Sequence, residues 1–294
     1  MNELTAAATT IVIATRDRRA TLLRTLARLT ALPGGPPVIV VDNGSRDGGP
    51  EAVRARFPQV RLVELGGNRG ACARNTGVRL AETPYVAFSD DDSWWEPDAL
   101  GTAARLFDEH PRLAVLVGRV RLGPADDAET DLVSRKMGAA RLGRAPDLPG
   151  PSVLGFPACA AIVRRDAFLA AGGFDDLLFF GGEESLLALD LAARGWGLAY
   201  AEQVVARHAP AAEREAPPER WALHRRNDLL VAWMRLPRGR ALAGTLALAA
   251  RSVRNPAARG AFAGLLRRLP AALARRRPVP PVVAGGVRAL GELE

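Results

Sequence analysis

Apolar runs of four to six residues recur along the first third of the chain, each closed by polar or glycine-rich residues. Thr10 to Ala14, Val38 to Val41 and Tyr85 to Phe88 are rich in β-branched or aromatic residues and too short for helices, so they predict buried strands, and Val60 to Leu65 predicts a further strand. Between them the apolar positions change to helical spacing. Leu22, Leu23, Leu26 and Leu29 predict a helix that Pro33-Gly34-Gly35-Pro36-Pro37 stops, Glu51 to Arg56 a second, and the segment through Arg74, Asn75 and Leu80 a third. Strands alternating with helices at this spacing predict βαβ units, hence an α/β fold with a mainly parallel central sheet flanked by helices.

Farther along, Trp94-Trp95-Glu96-Pro97-Asp98 reads as a helix start with Pro in its first turn, continuing through Leu106. Leu113 to Val117 and Phe156 to Val163 read as core strands, and Arg164-Arg165-Asp166 opens a short helix that Gly172-Gly173 ends. Phe179-Phe180-Gly181-Gly182-Glu183-Glu184 leads into a helix with Leu186, Leu187, Leu189 and Leu191 on its buried side. Trp196 to Tyr200 and Val204 to Ala206 read as two short strands. Residues 123–150 have no clear period and read as a long loop covering a crevice. Beyond Pro237 the composition shifts to Arg, Ala and Leu, which divides the chain into a domain at 1–236 and a helical C-terminal extension at 237–294.

Charge sharpens that division. The 294 residues carry a formal net charge of +8, but residues 238–294 hold eleven Arg against two Glu, so the rest is nearly neutral. Nucleic-acid binding fits poorly, because the basic residues are confined to the tail and no aromatic platform accompanies them. Phe262, Leu265, Leu266, Leu269 and Leu273 fall on one helical face with Arg259, Arg267, Arg268 and Arg275 to Arg277 around it, interrupted by Pro270. Such a segment suits peripheral contact with an anionic membrane, a helical hairpin packed on the domain, or a dimer contact, and all three stay open. The longest apolar stretch, Ala241 to Ala250, is half of the roughly 20 residues that span a bilayer. The N-terminus shows no basic and apolar secretory pattern, so the expectation is a cytoplasmic protein, with the inner face of the cell membrane as a peripheral location. Cys72 and Cys159 stand in no CxxC or His-flanked pattern and read as buried thiols.

The chemistry sits at the strand ends. Thr15, Asp42, Asn68 and Asp90-Asp91-Asp92 all follow predicted strands, and in parallel sheets the ligand crevice lies beyond the carboxyl ends. Three adjacent carboxylates repel one another unless a cation lies among them. Together with His208 after a late strand, they form a hard-ligand set suited to Mg²⁺ or Mn²⁺, and through the ion to a diphosphate. A glutamate of the Glu183-Glu184 pair, outside the metal set, would serve as a general base. Plainer roles exist: Asp42 and Asp90 as turn formers, the glutamates as complements to a helix N-terminus, His208 as a structural histidine, Trp94 and Trp95 as core.

The ordered pieces Val-Ile-Ala-Thr-Arg-Asp-Arg, Val-Ile-Val-Val-Asp-Asn-Gly-Ser, Gly-Asn-Arg-Gly, Arg-Asn-Thr-Gly, Phe-Ser-Asp-Asp-Asp, Gly-Gly-Phe-Asp, Gly-Glu-Glu and a late His resemble the inverting glycosyltransferases of family two with the GT-A fold, over about residues 9–235. The resemblance implies a UDP-, GDP- or dTDP-sugar donor, a hydroxyl acceptor that a lipid could carry, and Mn²⁺ or Mg²⁺ as cofactor. It places Thr15, Arg16, Asp42, Asn68, Arg74, Asp90 and Asp91 on the nucleotide, and Asp92 and His208 on the metal. Arg225, Arg226 and Asn227 fall where phosphate contacts are expected. Glu184 matches the position of the base, with Glu183 as its competitor. Two rivals remain. One is a non-catalytic nucleotide-sugar or glycan-binding subunit of the same fold. The other is a nucleotidyltransferase, which would need a Gly- and Lys-rich phosphate loop that Thr15 to Arg19 lacks.

Overall fold

The computed structural model describes residues 8–125, 127–210 and 218–291. Its first four apolar runs form β1 (Thr9–Thr15), β2 (Val38–Asp42), β3 (Arg61–Glu64) and β4 (Tyr85–Ser89). The helices α1 (Arg19–Leu29), α2 (Gly49–Arg56) and α3 (Ala73–Leu80) link them in turn. These strands lie side by side in the order β3-β2-β1-β4, all parallel. Strand alternation sorts the side chains into two layers. Ile11, Ile13, Val38 and Val40 pack under Leu22, Leu26 and Leu29 of α1, whereas Val12, Ile39 and Val41 pack against Ala73 and Val78 of α3 on the other face. Gly77 lets α3 sit directly on β1, because a Cβ there would overlap Val12 Cγ1.

The second half of the sheet is mixed. It comprises β5 (Ser93–Trp95), β6 (Leu113–Leu122), β7 (Ala161–Arg164) and β8 (Gly197–His208), which continue the sheet from β4 as β7-β6-β8-β5. β7 is antiparallel to both neighbours, β8 runs parallel to β6, and β5 is antiparallel to β8. Helices α4 (Ala99–Glu109), α5 (Leu132–Gly138), α6 (Arg165–Ala171) and α7 (Glu183–Ala193) complete this half.

Three elements differ from the sequence reading. Trp94 and Trp95 belong to a strand, not to a helix start, because they pair with Arg207 and Ala206 of β8; the helix begins two residues after Pro97. Both indoles are buried, Trp94 beneath the Arg28 guanidinium. The two short strands near residue 200 are one twelve-residue strand, across whose exposed Glu202-Gln203 step the register with β6 shifts. Residues 123–150 include α5, whose first turn Asp131 caps by accepting from the Val133 and Ser134 N–H groups.

The C-terminal part is helical: α8 (Pro218–Arg235), α9 (Arg238–Ser252), α10 (Pro256–Ala274) and α11 (Pro281–Gly291). With α7 they enclose a third core that includes Leu186, Leu189, Leu230, Met234 and Leu265. Helix α10 continues through Pro270 and lies along α8. Its apolar residues divide between two sides: Leu265 is buried and Phe262 packs against the core, while Leu266 and Leu273 are exposed.

Candidate functional site

A cleft of about 680 Å³ opens where β1, β4 and β8 end. Thr15 and Arg16 at the end of β1, Asn68 in the loop after β3, Arg74 in α3, and Asp90, Asp91 and Asp92 after β4 all line it, as does His208 at the end of β8. Asp42 is buried and does not line it. One Asp42 carboxylate oxygen accepts from the Gly44 and Ser45 N–H groups, and the cleft wall beside it is Asn43. Among the described residues none of 123–150 lines the cleft; that segment packs on β6 and β8, with Ser134 Oγ accepting from the Val120 N–H and Leu148 against Gly197.

Each aspartate has its own partner. Arg74, itself buried, is ion-paired with Asp90. Asp91 accepts from Thr15 Oγ1 at 3.1 Å and Arg18 Nε at 3.2 Å, while its carbonyl accepts from Thr25 Oγ1. Asp92 meets Arg18 Nη2 at 2.9 Å and His208 Nε2 at 3.1 Å. Burial would raise the Asp92 carboxyl, but the His208 hydrogen bond and Arg18 hold it below the ordinary value; Asp92 in turn raises His208. Burial raises Asp91 in spite of Arg18. One ligand atom from each of Asp90, Asp92 and His208 lies within 4.8 Å of the other two. All three therefore lie close enough to converge on one small cation, whose ligands stand about 2–2.5 Å from it.

Glu183 and Glu184 begin α7 immediately after Gly182, whose backbone is left-handed. Neither lines the cleft, but both act electrostatically on Arg74, which does. Glu183 is buried with Oε2 unpartnered, and burial raises its carboxyl. Glu184 is half-buried; burial, and then the neighbouring Glu183 charge, push it up to about 7.

The turn in front of these glutamates is held from two sides. Buried Asn227 of α8 donates from Nδ2 to the carbonyls of Leu178, Phe180 and Gly181, and the Phe179 carbonyl accepts from the Ala71 N–H. Gly70 permits that approach, since a Cβ there would overlap Phe179 O. Asn43 closes the same loop by donating to Gly70 O and accepting from the Arg69 N–H. Asn227 and Arg226, expected near phosphate, therefore point into this turn: Arg226 donates to Asn227 Oδ1 and to Leu178 O. Arg225 does not line the cleft.

Sequence reasoning missed several wall residues, namely Arg18, Asn43, Phe179, Phe180, Pro210 and Arg220. Arg18 had a signal, as a cation three residues beyond β1 in the loop that faces the aspartates. Phe179 had none in the sequence; only the structure shows it exposed with a left-handed backbone, φ 66°.

The model described as "Glycosyl transferase family 2" matches residues 10–170. An N-acetylglucosaminyl-diphospho-decaprenol L-rhamnosyltransferase of Mycobacterium tuberculosis is 26% identical over 268 residues, covering 77% of this chain and 86% of the relative. Among solved structures, a Pyrobaculum calidifontis mannosyltransferase in complex with GDP-Man and Mn²⁺ superposes with a TM-score of 0.57 at 20% identity, covering 99% of this chain and 81% of that one. The 1–349 fragment of Staphylococcus aureus TarS in complex with UDP superposes at 0.52 and 18% identity, covering 76% and 64%. At these identities the structural likeness shows the fold, GT-A, as the motifs implied.

Proposed function

Because the chain belongs to glycosyl transferase family 2, matched over residues 10–170, we propose that it moves a sugar from a nucleoside-diphosphate donor to an acceptor hydroxyl, with inversion and with the help of a divalent cation. The observation that carries the proposal is the convergence of Asp90, Asp92 and His208, three residues from two distant stretches of chain. Two carboxylates and an imidazole are a fitting donor set for Mn²⁺ or Mg²⁺. Bound there, the ion would neutralise the diphosphate as it leaves.

The protein's own groups do the rest in this proposal. Thr15, Arg16, Asn68 and Arg74 line the wall that would receive the nucleotide, and Asp42 supports it from behind through the Gly44-Ser45 turn. Glu184 accepts the acceptor's hydroxyl proton while that oxygen bonds to the anomeric carbon; the bond from that carbon to the diphosphate oxygen breaks, and its electron pair leaves with the nucleoside diphosphate. A carboxylate raised to about 7 holds a proton at neutral pH far better than an ordinary one, which favours Glu184 as base over a mere helix-end charge. Buried Glu183 stays behind it, raising the Glu184 pKa through like charge.

The relatives' names support a hexosyl or deoxyhexosyl donor, and the decaprenol-linked substrate of the mycobacterial relative supports a lipid-linked acceptor. Such an acceptor would bring the chain to the inner membrane face as a peripheral protein; no helix among the described residues is long and apolar enough to cross a membrane. Residues 1–236 would carry the transfer chemistry and 237–294 form the extension. A thermal-shift screen of UDP, GDP and dTDP with and without Mn²⁺ tests the proposal. At least one nucleotide should stabilise the protein only when Mn²⁺ is present; stabilisation by none, or equally without metal, refutes it.

A further inference from the structure

Between Leu229 and Gly291 the chain contains twelve Arg and no Asp or Glu. Folding places part of this segment's apolar content on the outside. Helix α9 buries Ala241 and Leu248 against α8 and α10 and turns Leu242, Leu246 and Ala250 outward, followed on the same side by Val253, the residue that caps its C-terminal end. Those four recur at four-, four- and three-residue steps, the spacing of one helical face. Leu242 is 50%, Leu246 61% and Val253 73% exposed, in a molecule whose core residues are mostly below 5%. Exposed Arg238 and Arg254 stand at the two ends of the stripe. The neighbouring helix α10 has exposed Leu266 and Leu273, with exposed Arg259 and Arg267 beside them.

We propose that the outer stripe of α9 docks flat on an anionic lipid bilayer, its leucines and valine at the acyl boundary and Arg238 and Arg254 among the headgroup phosphates. The surface combines the two terms that hold an interfacial helix, apolar burial and cationic attraction. Charge selects this occupant over a second copy of the chain. A symmetric dimer across the stripe would bring two acid-free, Arg-rimmed faces together, whereas an anionic bilayer offers charge complementary to the arginines at both ends of the stripe. At fifteen residues α9 is about 22 Å long, enough to lie on a membrane and too short to cross it. This docking deepens the lipid-linked acceptor reading and rests on it for its purpose. Helix α8 joins the two places, with Arg220 in its first turn on the cleft wall and its last residue three positions before α9.

The test is co-sedimentation of the full chain with vesicles of phosphatidylcholine alone and of phosphatidylcholine with about 30% phosphatidylglycerol. The protein should pellet with the anionic vesicles and stay in solution with the neutral ones. L242S/L246S should weaken that partition by on the order of tenfold, and R238Q/R254Q by on the order of twentyfold at about fivefold per arginine. All three proteins should keep the same melting temperature within about 2 °C and the same nucleotide-induced shift, which separates lost docking from lost folding. Equal partition of wild type and both variants, or no partition of the wild type, overturns the proposal. So does a dimer in sedimentation velocity that L242S/L246S dissociates. A fully active enzyme on a water-soluble acceptor, still pelleting with anionic vesicles, would remove the lipid-linked acceptor and leave the docking surface standing.

Discussion

Replacing Glu184 by glutamine should stabilise the protein above neutral pH while abolishing transfer. The Glu184 pKa is raised from 4.5 to about 7, first by burial and then by Glu183. Between those values the folded state holds a proton that the unfolded chain has released, so stability falls as pH rises through the window, and the full cost is present above 7. At about 1.4 kcal/mol for each pH unit between 4.5 and about 7, the cost is about 3 kcal/mol. Water at the half-buried carboxyl reduces this to about 1–3 kcal/mol. Glutamine keeps the shape and removes the charge. Thermal unfolding of wild type and Glu184→Gln at pH 5 and pH 8 should show near-equal melting temperatures at pH 5, and a gain for the variant of about 2–6 °C at pH 8. Nucleoside diphosphate release by the wild type should fall tenfold per pH unit below about 7, and the variant should release at least a hundredfold less throughout. A melting difference that is the same at both pH values would refute the argument from burial, and full turnover by the variant would transfer the base to Glu183.

Three other substitutions probe the scaffold around the site. Asn227→Ala leaves the Phe180 and Gly181 carbonyls without their side-chain donor and removes one of the donors to Leu178 O, and should cost about 1–3 kcal/mol in urea unfolding, with kcat falling more than nucleotide affinity; an unchanged kcat would mean the turn is held without it. Gly77→Ala forces α3 away from Val12 and should cost about 1–3 kcal/mol, seen as a lower urea midpoint at unchanged slope; no loss would show that the two elements yield freely. Arg74→Met leaves Asp90 without its ion-pair partner, removes a cation acting on both glutamates, and should move the acidic limb of the pH–rate profile upward; a profile that stays in place would exclude Arg74 from the base's environment.

What could be read before the structure follows from where the information lies. β1, β2, β3 and β4 are set by local apolar runs, and a parallel sheet gathers their carboxyl ends wherever the helices go, so Thr15, Asn68 and Asp90 to Asp92 were legible as one rim. Trp94 and Trp95 misled because Pro97-Asp98 is a true helix signal two residues early, and only pairing with β8 makes the preceding residues a strand. Asn227 was illegible in its role because its partners are backbone carbonyls some 46 to 49 residues away, which no side-chain pattern records. The tail's outward face was misplaced for a related reason. The α10 leucines have helical spacing, yet packing on α8 and α9 decides which of them see solvent, and the broader exposed stripe is on α9.

The metal set is tested most directly by titrating Mn²⁺ into the protein with saturating UDP or GDP, whichever the thermal-shift screen selects, and following free Mn²⁺ by electron paramagnetic resonance. One ion should bind to the wild type, at least tenfold more weakly to Asp92→Asn, and to His208→Ala with an intermediate loss. Equal Mn²⁺ affinity in all three proteins would contradict a cation held by Asp90, Asp92 and His208.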